Sequence, residues 1–96
     1  MRLVCIFTDR EEMLNHRKVH SQDHLDYLAK HRAEIVLAGG LRDQQGGVYT
    51  GGLWVLEVDS FARAKELVEN DPYYVPEYRS YSLKVWGKAF QEPVVL

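Results

Sequence analysis

The chain has 96 residues, of which 46% are hydrophobic and 27% charged, with a formal net charge of −2. That size and mix describe one globular domain, residues 1–96, and exclude a disordered chain. The charge leaves no basic footprint for nucleic acid and no polybasic membrane anchor, and a single cysteine, Cys5, excludes an intramolecular disulfide or a multi-cysteine zinc site.

Residues 2–7 are apolar after Arg2 and rich in β-branched or aromatic types, which predicts a buried strand. Leu3–Phe7 is too short for the core of a secretory signal, and no stretch approaches the ~20 apolar residues of a membrane span, so the expected location is the cytoplasm. Residues 11–34 lack Pro and Gly and carry charge at nearly every turn. They predict a helix, either unbroken or broken near Val19-His20 and restarting with Ser21 as its cap. Leu25, Leu28 and Ala29 or Arg32 then form the inward stripe.

Ile35–Ala38 is a second strand, stopped by Gly39-Gly40. The polar stretch 42–49, with Gly46-Gly47 at its centre, suits the loop of a long hairpin. Leu53–Val58 is the clearest strand of the chain. Ser60 supplies a cap for a helix from Phe61 to Glu69, with Phe61, Ala64, Leu67 and Val68 on one face. Asn70-Asp71-Pro72 ends it, because the residue before proline is pushed out of the α region. An aromatic loop, 73–77, leads to a last strand, Tyr78–Trp86. The order βαββαβ is a βαβ unit written twice. It predicts an α+β, ferredoxin-like sandwich of one four-stranded antiparallel sheet with two helices on one face.

Two helices cover only one face of such a sheet, and the other face is not polar. Strand one offers Leu3, Cys5 and Phe7 on one side but Val4 and Ile6 on the other, and strand three is apolar on both sides. Only strand four alternates cleanly. The helix-free face therefore needs a cover, and a second copy in a two-fold homodimer is the simplest one. The alternative is the C-terminal tail, Phe90–Leu96.

Four histidines, His16, His20, His24 and His31, lie within sixteen residues. On one unbroken helix they occupy a sector of ~80°. The i, i+4 spacing suits a metal pair, but no Glu follows the first His as in the zincin pattern, so no metal is assigned. Asp71 is more specific: Pro72 fixes where it points, and it sits at the negative end of a helix dipole, where a carboxylate needs a donor or cation. Gly39-Gly40 lets a ligand approach the backbone. The glycine pairs fit neither G-x-G-x-x-G nor a P-loop, so no nucleotide cofactor is expected. Tyr49, Tyr73, Tyr74, Tyr78 and Trp86 are divided between interface packing and the lining of a pocket for a flat organic ligand.

Three stretches together resemble the YCII-related family of YciI-like small bacterial proteins: Ser21-Gln22-Asp23-His24-Leu25-Asp26-Tyr27-Leu28, Leu37-Ala38-Gly39-Gly40 and Asn70-Asp71-Pro72-Tyr73. Gly51-Gly52 ahead of a strand ending in Glu57-Val58, and the terminal strand into Trp86 and Lys88, also correspond. The resemblance covers nearly the whole chain. His20 stands where relatives often carry arginine, and Gly40 replaces a common proline. The resemblance implies a dimeric α+β barrel and a His–Asp active site, which carries onto His24 and Asp71. One relative is a dehydrochlorinase acting on a chlorinated hydroxyhydroquinone.

The expectation is thus a cofactor-independent small-molecule enzyme. Asp71 orients one imidazole nitrogen of His24, near a helix start, and the other moves a proton in an elimination or isomerisation of a small aromatic or enolisable compound. Gly39, Gly40, Tyr73, His20 and Trp86 are the expected substrate-binding residues. The alternative is a non-catalytic binding or accessory protein in which the His–Asp pair is structural.

Overall fold

A computed structural model describes all residues, 1–96. The element order is β1 (Arg2–Asp9), α1 (Met13–Lys30), β2 (Ile35–Arg42), β3 (Tyr49–Glu57), α2 (Phe61–Glu69) and β4 (Arg79–Val85). The four strands form one sheet in the order β2-β3-β1-β4, every neighbouring pair antiparallel. This is the βαββαβ arrangement expected from the sequence. No helix is long and apolar enough to cross a membrane.

Alternation places Leu3, Cys5 and Phe7 of β1 opposite Leu56, Trp54 and Gly52 of β3. All three β1 residues are buried under the helices with Ile35, Ala64, Leu67 and Val68. Phe7 meets Trp54 edge to face, with centroids 5.1 Å apart. α2 presents Ala64, Leu67 and Val68 inward as predicted, and the Ser60 hydroxyl accepts the Arg63 N–H to cap it, but Phe61 remains exposed.

α1 departs from its prediction in part. It runs without a break through Val19-His20, so Ser21 is mid-helix and His24 is far from a helix start. Leu25 is exposed; Met13, Tyr27 and Leu28 face inward, interleaved with Arg17 and His24. The inward face is polar because it docks on polar groups of the α2–β4 connection, and that is why apolar periodicity missed it. His16 Nε2 donates to Pro72 O at 2.8 Å, and the Tyr27 hydroxyl donates to Leu67 O at 2.6 Å.

The hairpin strands are longer than predicted. β2 continues through Gly39-Gly40 to Arg42, and β3 begins at Tyr49 and includes Gly51-Gly52. The turn itself needs Gly46, whose φ of 79° lies in the left-handed region. Two register shifts interrupt the ladder. Val36 is an extra residue between Ile35 and Leu37, which pair with Leu56 and Val55, and Thr50 is an extra residue between Tyr49 and Gly51, which pair with Arg42 and Leu41.

On the helix-free face Ile6, Leu37 and Leu41 are exposed. The C-terminal tail lies beside Arg2, Glu57 and Trp86 at one corner of that face and leaves Ile6, Leu37 and Leu41 uncovered.

Candidate active site

Asp71 follows the C-cap of α2, where its N–H bonds Val68 O at 3.3 Å. Pro72 directs the chain back under α1. There Asp71 Oδ1 accepts the Tyr73 N–H at 3.1 Å and the His24 Nδ1–H at 2.7 Å. The Asp71 side chain is 1% exposed and that of His24 12%. Tyr73 lies flat on His24, with ring centroids 3.7 Å apart and planes 8° from parallel. An ionised carboxylate only accepts, so His24 carries its proton on Nδ1 and leaves Nε2 as the basic nitrogen. Nε2 makes no hydrogen bond within the chain. Burial pushes the Tyr73 phenol up from its ordinary value, with Arg17 pulling the other way, so Tyr73 stays a neutral donor, 3.5 Å from Arg17 O.

His24 borders a small inner cavity of about 40 Å³ with Phe7, Arg17, Gly39, Gly40, Gly52, Trp54 and Arg79. That volume holds about one water molecule. A wider cleft of about 630 Å³ lies outside it, lined by Tyr49, Tyr73, Leu14, Lys18 and others, and the two share Arg17 and Gly40. Gly40 is bare for a reason: a Cβ there would run into the Tyr49 ring, which lies across the strand.

The cavity is charged by residues that the sequence reading did not single out. Arg79, 2% exposed, donates Nε and Nη2 to the two Asp9 oxygens at 2.7 and 2.9 Å. Arg17 Nη2 donates to Gly51 O at 2.9 Å and lies 3.4 Å from Asp9 Oδ2. The Arg17 guanidinium sits 4.5 Å from the Tyr49 ring centroid and 5.1 Å from that of Tyr73. The only signal for these residues is position: Asp9 ends β1 and Arg79 opens β4, opposite one another in the register.

Of the expected site residues, His24, Asp71, Gly39, Gly40 and Tyr73 come together. His20 does not border either cavity; its ring packs tilted against His16 with centroids 4.3 Å apart and lies 3.9 Å from Asp23. Trp86 is at the opposite end of the sheet, where its N–H bonds Arg2 O, because β4 and β1 run antiparallel. No group of three His, Cys, Asp or Glu side chains clusters as a metal site.

The chain is a small α+β protein of βαββαβ order with a His–Asp hydrogen bond between α1 and the end of α2. The chain belongs to the YCII-related family, whose YCII-related domain model matches residues 1–87. Among solved structures it is similar to 5-chloro-2-hydroxyhydroquinone dehydrochlorinase (TftG) from Burkholderia phenoliruptrix AC1100 in complex with 2,5-dihydroxybenzoquinone. The TM-score is 0.78 at 25% identity, covering 91% of this chain and 94% of that one. A search of curated proteins finds no match.

Proposed function

We propose that the chain is a small-molecule enzyme that uses His24 and Asp71 for acid–base chemistry, an elimination or isomerisation on a small aromatic or enolisable compound. One observation carries the reading. His24 Nδ1 is bonded to a buried carboxylate at 2.7 Å while the same ring borders a cavity with its other nitrogen unused. A carboxylate behind an imidazole fixes the tautomer and stabilises the imidazolium formed when Nε2 takes a proton. The chemistry attributed to the similar dehydrochlorinase supports the same class, and hydroxylated quinones and hydroquinones are the first compounds to try.

The working form is a homodimer packed through the helix-free face, a reading supported by the uncovered Ile6, Leu37 and Leu41.

The test is a screen of chlorinated and unchlorinated hydroxyhydroquinones by absorbance and by deuterium exchange from solvent. Turnover by the wild type and a loss of roughly 10²–10⁴-fold in His24→Gln, with the circular dichroism spectrum unchanged, is the expected result. A His24→Gln variant as active as wild type removes His24 from the mechanism. The second reading, binding without turnover, draws on the bracing of His24 between Tyr73 and Asp71 beside so small an inner cavity. Ligand binding with no exchange or elimination for any compound selects it.

A further inference from the structure

We propose that the outer cleft is a subsite for an apolar arm, so that the compound bound is a planar head carrying a hydrocarbon chain rather than a bare single ring. The inference rests on reading His24 as the group that meets the head. The inner cavity beside His24 measures about 40 Å³, room for about one water molecule, so only the reacting edge of a ring reaches it. The rest of the compound lies in the cleft of about 630 Å³. A cavity of roughly 150 Å³ takes a benzene ring, so a single ring leaves most of that cleft to water.

The cleft is long, and its two walls are built differently. Leu14, Arg17, Lys18 and Ser21 line one of them. Their spacing puts them on a single stripe of α1, and His24 continues that stripe beyond Ser21. From Leu14 to His24 the helix axis rises about 15 Å, longer than a single ring. The hairpin supplies the other wall through Gly47, Val48 and Tyr49. Tyr49 is held in place: its hydroxyl accepts from Arg42 Nη2 at 2.6 Å, and the Arg42 and Arg17 guanidiniums lie 4.3 and 4.5 Å from its ring centroid. Val48 is 64% exposed and Leu14 half-buried, and neither packs into the core. The fold leaves these two aliphatic side chains without an apolar partner, and both line the cleft. An arm lying along the α1 stripe removes both from water. Tyr73, flat against His24, lines the same cleft and links the place of the head to that of the arm.

The experiment compares the methyl and butyl esters of 2,5-dihydroxybenzoic acid by isothermal titration calorimetry. Each methylene fully buried tightens binding roughly three- to fourfold. The wild type is expected to bind the butyl ester roughly tenfold or more tightly than the methyl ester, since an open cleft buries the arm only in part. Val48→Asp sets a charge in the path of the arm, at an exposed position outside the core, and brings the two affinities together. A wild type that binds neither ester, or in which the butyl ester does not outbind the methyl ester, overturns the proposal. So does a Val48→Asp chain that keeps the full preference, because the gain then comes from contact elsewhere. His24→Gln separates the two readings. A chain-length preference retained there supports the cleft subsite whether or not any ester is turned over, and a wild type that shows the preference without turnover counts against the catalytic reading alone.

Discussion

Asp9 accepts from two guanidiniums at 1% exposure, and few residues in the chain have more depending on them. Neutralising it leaves Arg79 and Arg17 buried with no counter-charge. Asp9→Asn is expected to lose about 3–5 kcal/mol of unfolding free energy, measured by urea denaturation. An unchanged urea midpoint would mean that solvent reaches these guanidiniums. None of this was legible in the sequence. The partners are 70 residues apart, and a charge at the end of a strand reads as solvated. His24 and Asp71 were legible, because Pro72 singles out Asp71 and the motif around His24 resembles a known family. Cys5 was read correctly as core, and burial pushes its thiol up to about 12, leaving it protonated and unreactive at neutral pH.

Among the elements, α2 is the most faithfully encoded, with its cap, its apolar face and its proline stop all in the sequence. Its first turn is tied to the start of β2 by Arg63, which grips Glu34 at 2.7 and 2.9 Å. The Arg63 hydrogen bond holds the Glu34 carboxyl below its ordinary value of 4.5. The folded chain therefore ionises Glu34 more readily than the unfolded chain. The stabilisation is complete above the ordinary carboxylate range and is lost as pH falls through the folded value. Wild type and Glu34→Gln should differ by a small margin in urea midpoint at about pH 7 and converge as pH falls below the ordinary carboxylate range, given an exposed, screened pair. A difference that persists in acid would assign the effect to packing. α1 was the least legible element. Its inward face carries Arg17 and His24, so an apolar stripe drawn through Leu25 falls on the wrong side.

At the scale of the molecule, the sheet predicted its own incompleteness. A strand with Val4 and Ile6 turned away from the helices asks for a cover that neither helix supplies, and the tail reaches only the Arg2 corner. Charges set into that face should therefore oppose association. Leu37→Glu is expected to sediment as a monomer where wild type sediments as a dimer, because an isologous patch places the new charge beside its own copy. A wild type that sediments as a monomer at micromolar concentration would sink the dimer reading.

The extra residues Val36 and Thr50 carry a meaning for how this chain can change length. Counted in strict alternation from Ile35, Leu37 and Leu41 would point to the helices and Gly40 away from them. The insertion at Val36 reverses that count, and the one at Thr50 does the same for Tyr49. Excising either residue would leave its neighbours opposite their present partners. Removing any single residue from 37 to 41 would turn the strand over on one side of the gap. In a comparison of sequences, Val36 and Thr50 are therefore the places in these strands where a one-residue gap is harmless to the cavity wall.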